Sequence, residues 1–168
     1  MLKPKWTIIT KVDATRQVAA GMKLLKGQEV LVGIPAENAP RDAAEARGTD
    51  ITNAALAYLH NYGSPTQNIP ARPFAEPGIE AAKVEIGDGF QKAGLAALDG
   101  KPDVMMKNLH AIGIRASTSI RNKINEGIPP PLAASTIRAR KRRGRTGTKP
   151  LVDTAQMRNA VTYVVRKS

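Results

Sequence analysis

The sequence predicts an α+β fold, a mainly antiparallel sheet packed by an antiparallel pair of long helices. Three observations lead there. Apolar residues recur every three or four positions across 77–98 and again across 103–126, the period of a helix face. Asp99-Gly100-Lys101-Pro102 separates the two stretches as a tight turn, so the helices should run antiparallel. Residues 29–34 (EVLVGI) and 160–166 (AVTYVVR) are rich in β-branched side chains and read as strands. At 168 residues the chain is expected to be one domain, 1–168, large enough to bury a core.

In chain order, Trp6 and Ile8, flanked by Thr7 and Thr10, predict an opening strand. Asp13 is placed to cap a helix whose apolar face is Val18, Met22 and Leu25, and Gly27 suits its exit. The 29–34 run barely alternates, which predicts a central strand, stopped by Pro35. Residues 36–50 are polar, mixed in charge and unpatterned, so a mobile surface loop is expected, with Glu37, Asp42 and Glu45 solvated on it. Thr52 can cap a short helix over 53–61 that buries Leu56, Leu59 and Tyr58.

On the 77–98 helix, Ile79, Ala82, Ile86, Phe90, Ala93 and Ala97 mark one face. Gly87, Gly89 and Gly94 lower its helix propensity, which implies close approach by another element. Asp103 is placed to cap the next helix, with Met105, Leu109, Ile112, Ala116, Ile120 and Ile124 as its buried stripe and Gly127 at its end. Pro129-Pro130-Pro131 is a short rigid spacer. A brief helix starts near Ser135, and Asp153 or Thr154 caps a last short helix containing Met157.

The absence of cysteine excludes a disulfide framework, a thiolate zinc site and a cysteine nucleophile together. Lys3 and Lys5 are followed by no apolar run, so no signal peptide is read. No stretch approaches the roughly 18 apolar residues of a membrane span. A soluble product, cytoplasmic at synthesis and without a membrane partner, is expected. The net charge of +12 is unevenly placed: residues 1–100 balance eleven Lys/Arg against eleven Asp/Glu, whereas 101–168 set fifteen against Asp103, Glu126 and Asp153. The whole excess lies in the last third and calls for an acidic partner.

Catalytic patterns are lacking. His60 and His110 are fifty positions apart on separate predicted helices, with no carboxylate set at ligand spacing beside either. The serines sit in no nucleophile-elbow sequence. Gly144 to Lys149 superficially suggests a phosphate loop, but the glycine spacing is wrong and no apolar strand precedes it. Neither a metal nor a cofactor is called for, and the chain is not expected to be an enzyme.

The stretch 60–79 (HNYGSPTQNIPARPFAEPGI) organises the rest. Each proline fixes its own φ and restricts its predecessor, so the loop is stiff without regular structure. Phe74, the only aromatic between Pro65 and Pro77, is its candidate anchor. Tyr62-Gly63-Ser64, Ile69-Pro70-Ala71-Arg72-Pro73-Phe74 and Pro77-Gly78-Ile79 carry a resemblance, continued in Pro130-Pro131-Leu132, Thr136-Ile137 and residues 149–157 (KPLVDTAQM). In these motifs the chain resembles the small head–tail joining proteins of tailed bacteriophages, the neck and tail-completion proteins that form rings between capsid portal and tail tube. The family usually shows Gly where this chain has Ala155, and often Leu where it has Ala75. The resemblance spans roughly residues 50 to 165. It implies a virion structural protein that acts without catalysis as a homo-oligomeric ring subunit, its partners being copies of itself, neighbouring head-connector or tail-tube proteins, and channel DNA through backbone contacts.

Two sets of contact residues follow. Tyr62, Pro70, Arg72 and Phe74 are the candidate assembly interface. The basic arm 138–149, with Arg138, Arg140, Lys141, Arg142, Arg143, Arg145 and Lys149, is the candidate contact with an acidic partner or nucleic acid. Seven cations in twelve positions with no acid among them repel one another, so the arm is expected to be mobile. Protein carboxylates are favoured over DNA as its partner, because the arm has no aromatic for base stacking. The alternative function is a sequence-nonspecific nucleic-acid-binding module built on the same arm. A small enzyme is a third class, which a pocket joining a histidine to carboxylates would favour.

Overall fold

The computed structural model describes residues 14–35 and 51–167. In order these form α1 (Thr15–Lys26), β1 (Gln28–Gly33), α2 (Asn53–Tyr62), a 3₁₀ turn (Pro65–Gln67), α3 (Ala75–Ala81), α4 (Lys83–Leu98), α5 (Pro102–Glu126), α6 (Ala134–Arg142), α7 (Gln156–Ala160) and β2 (Thr162–Lys167). The predicted opening strand, the Asp13 cap and the 36–50 loop with its carboxylates lie outside the described residues.

Everything packs around α5. Pro102 opens it at a position where its missing N–H costs nothing, Asp103 lies in the first turn, and Gly127 at φ 88° ends it. All six predicted stripe residues, Met105 to Ile124, are buried. The N-terminal half of α5 joins Ala93, Ala96 and Ala97 of α4 in one core cluster, against which Leu24, Leu25, Val30 and Val165 pack. The C-terminal half joins Ala57, Phe74, Ile128, Met157 and Val161 in a second.

The described residues are 63% helical, so a body dominated by sheet gives way to a helical body carrying a two-stranded antiparallel ribbon. β1 pairs with β2 from Gln28 opposite Lys167 to Gly33 opposite Thr162. Val30 and Val165 face the helices, whereas the cross-strand neighbours Leu31 and Val164 are exposed. Burial on one face only is the correction to the central strand expected of β1.

The predicted 77–98 helix begins at Ala75 and breaks at Ala82, whose N–H bonds back to the Ile79 carbonyl in a tightened turn. Of the predicted face, Ala82, Ala93 and Ala97 are buried and Ile86 packs against the first cluster, whereas Ile79 and Phe90 are exposed and Gly78 and Ala96 are buried in addition. The cause is close packing on α5: a Cβ at Gly78 would stand 2.7 Å from the Ile120 Cα, and one at Gly89 2.5 Å from the Ile112 Cγ1. Small residues occupy the contact and large ones remain at its rim. Gly87 and Gly94 meet nothing within 4 Å, so close approach accounts for Gly89 alone of the three.

The same rule governs α1. Gly21 is buried against the backbone of Ala97 and Leu98, while Val18 and Met22 are exposed. In α2, Thr52 caps as expected through its hydroxyl, 3.1 Å from the Ala55 N–H. The buried residues there are Asn53, Ala57 and Asn61; Leu56 and Leu59 are half-buried and Tyr58 is exposed. Neither of the other predicted caps is used. Lys101 stands at the N-cap of α5, and Ala155 at that of α7, with no side-chain capping bond at either.

Candidate functional site

The 62–74 loop is held from three sides. Gly63 turns the chain at φ 78°, and a Cβ there would stand 2.7 Å from the Ala71 nitrogen, so only glycine fits. Ser64 and Ile69 exchange backbone bonds of 2.8 and 2.9 Å across the 3₁₀ turn. Asn61, buried at the end of α2, accepts from the Phe74 N–H at 3.0 Å and the Ala75 N–H at 3.3 Å, satisfying two open donors at the start of α3.

Arg72 is the third tie. Its backbone N–H donates to the His60 carbonyl at 2.7 Å. Its side chain donates from Nε to the Pro130 carbonyl at 2.9 Å and from Nη2 to the Pro131 carbonyl at 3.2 Å. The residue is 5% exposed, and burial lowers its pKa, the expected direction for a cation that gives up water. The loop is thereby joined to the proline spacer, whose Pro129–Pro130 bond is cis.

These positions divide the candidate assembly residues. Arg72 and Phe74, the latter 4% exposed in the second core cluster, are internal struts and present no contact surface. Tyr62 and Pro70 are exposed, as an interface needs. Tyr62 stands beside Tyr58 with ring centroids 4.8 Å apart, the two residues being 60% and 69% exposed. Tyr62 and Pro70 also line a groove of about 700 Å³ with His60, Ile69, Leu132 and Thr136, and no carboxylate lines it. Sequence reasoning had buried Tyr58; its helical spacing of four from Tyr62 is the signal that puts the pair together.

The basic arm is not a free run of cations. Four of its seven cations, Arg140, Arg143, Arg145 and Lys149, fold back on the body. Arg140 is buried, donating from Nη1 to the Gly147 and Lys149 carbonyls at 3.0 and 2.9 Å, with Nε 3.4 Å from the Asp153 Oδ1. Arg145 reaches the Asp153 Oδ2 at 2.9 Å and Arg143 approaches it at 3.8 Å. Lys149 donates to the Asn125 carbonyl at 2.9 Å, and the Asn125 side chain accepts from Arg158 at 2.8 Å. The repulsion expected to free the arm is met by a carboxylate of the same chain. Asp153 is the sole acid after Glu126, and that was the available signal.

Arg138, Lys141 and Arg142 remain. All three are exposed, and their side chains have no hydrogen-bond or ion-pair partner among the described residues. Spaced i, i+3 and i+4, they share one face of α6.

His110 is exposed and meets the Tyr163 ring edge-on at 5.8 Å. Among the described residues no group of three or more His, Cys, Asp or Glu side chains could hold a metal, and no helix is long and apolar enough to cross a membrane. No family model, curated protein or solved structure matches this chain.

Proposed function

We propose that the chain is a structural subunit of a head–tail joining ring in a tailed bacteriophage, a neck or tail-completion protein. The observation that carries this proposal is the exposed Tyr58–Tyr62 pair beside a loop whose conformation is locked. Exposed tyrosines on a rigid support supply contact area at low entropic cost, and such residues dominate binding energy at interfaces. A repeated contact between unlike surfaces of identical copies closes into a ring, the form a head–tail channel requires.

The motifs behind the resemblance lie far apart in sequence and meet in space. Arg72 binds Pro130 and Pro131, and Phe74 shares a core cluster with Met157. They work as one scaffold that presents Tyr58, Tyr62 and Pro70. The role is mechanical: shape and charge join neighbours, and no bond is made or broken.

Sedimentation of the protein, alone and mixed with head and tail components, tests this. The parent should enter assemblies in at least one mixture, and Tyr58→Ser/Tyr62→Ser should remain a folded monomer that does not. Persistent monomer in every mixture, with the protein missing from purified virions, overturns the proposal.

A further inference from the structure

The seven cations of the arm fall into two classes with different work. Arg140, Arg143 and Arg145 surround Asp153, and Lys149 is held by Asn125. These four fix the arm to the body. Arg138, Lys141 and Arg142 are directed elsewhere. Arg140 lies about 200° round the helix from Arg138 at ~100° per residue, so binding it inward turns the other three outward together. The structure thus builds a cationic face that no acid among the described residues neutralises.

We propose that the Arg138–Lys141–Arg142 face of α6 binds the phosphate backbone of duplex DNA. Three observations select this partner over protein carboxylates. α6 (ASTIRARKR) carries no aromatic residue, and its one large apolar residue, Ile137, is half-buried. The missing aromatic, which on sequence alone told against DNA, excludes only base stacking; protein interfaces centre on aromatic and apolar anchors, whereas recognition of the phosphate backbone needs only cations at a fixed spacing. Second, the helices of another copy offer no excess of acid: across 75–126 seven acids are balanced by seven bases. Glu80, Glu85, Asp99 and Glu126 are each already paired with a cation. Third, Asp153, the acid paired with the arm among the described residues, is already shared among three arginines.

The absence of aromatic, Asn and Gln side chains from α6 leaves neither base stacking nor base-edge contacts, so the binding is indifferent to sequence. One copy carries the whole face, and the inference holds whether or not the chain forms a ring.

The test measures affinity of the full-length monomer for duplex DNA of random sequence across a salt series, by fluorescence anisotropy. Each neutralised phosphate contributes a slope of about −0.9 in log K against log salt, so three contribute about −2.7, or ~40-fold in affinity between 50 and 200 mM salt. Arg138→Ala/Lys141→Ala/Arg142→Ala should make the slope shallower by about 2.7, with its circular dichroism and melting unchanged. A control, Lys92→Ala/Lys107→Ala/Lys167→Ala, removes equal charge from exposed positions elsewhere and should change the slope far less. Equal effects from the two triple variants would reduce the site to net charge and overturn it. So would absence of DNA binding at 50 mM salt, and so would polyglutamate of matched charge binding as tightly through the same three residues, which would make the partner an acidic protein.

Discussion

Arg72 and Pro130 stand 58 residues apart in sequence and are joined by a 2.9 Å hydrogen bond from the guanidinium Nε to the proline carbonyl. A second bond runs from the same side chain to Pro131. No carboxylate takes part. The contact therefore works through geometry: a planar fork spans two successive carbonyls of a segment whose prolines have no N–H to offer.

The first prediction follows from that fork. Arg72→Ala leaves two part-buried carbonyls without donors and should cost about 2–4 kcal/mol, since hydrogen bonds to charged groups contribute about 1.5–3 kcal/mol each and do not add fully. Arg72→Lys should recover only part, because an ammonium has one nitrogen where the fork has several. Urea denaturation measures both. Equal stability of the three proteins would show that the fork does not hold the loop.

How much of this was legible in the sequence depended on which physical signal each residue carried. The α5 stripe was read in full because large aliphatic side chains repeat at helical spacing over about five turns. Ile79 of α3 and Phe90 of α4 were misread for the opposite reason. The contact of these helices with α5 uses glycine and alanine, which carry little hydrophobic signal, so the two large residues were drawn inward though they stand at the rim. Arg72 looked like a surface cation between prolines, and its true partners are backbone carbonyls, which no side-chain pattern announces. Charge counting located the arm correctly but could not show that Arg140 turns inward. Tyr62 and Pro70 were expected at an interface from the stiff loop together with the resemblance, and both are exposed.

Phe74 supplies the second prediction. It packs with Ile120, Ile124, Ile128 and Met157, and its N–H is held by Asn61. Phe74→Ala removes the ring and leaves a cavity, so a loss of about 3–5 kcal/mol is expected. Phe74→Leu should lose much less. If the alanine variant unfolds at the parent's urea midpoint, the loop has no anchor in the core.

Asp153 carries the third. Replacing it with asparagine keeps its shape and removes the charge shared by Arg140, Arg143 and Arg145. Arg140 keeps its bonds to the Gly147 and Lys149 carbonyls, so the arm should loosen without unfolding the body. A loss of about 2 kcal/mol is expected, intermediate between exposed and buried ion pairs. Amide exchange across α6 should quicken while that of α5 holds. Protection unchanged in α6 would mean the carbonyls alone fix the arm.

Ala155 gives the last prediction. Its backbone lies in the left-handed region at φ 60°, ψ 0°, where a Cβ crowds the following carbonyl at a cost of about 1–2 kcal/mol. The strain has a local cause. The chain must leave the Asp153 cluster and enter α7 within two residues, so that Met157 reaches the core. Glycine adopts that conformation without strain. Against the gain stands the greater freedom of glycine when unfolded, about 0.5–1 kcal/mol. Ala155→Gly should therefore stabilise the protein by about 0.5–1 kcal/mol, raising the melting temperature by roughly 1–4 °C for a chain of this size. Ala155→Val should do the reverse, since a β-branched side chain tolerates positive φ least. Calorimetry on the three proteins decides the matter. A glycine variant that melts below the parent would show that Ala155 is not held in the left-handed turn.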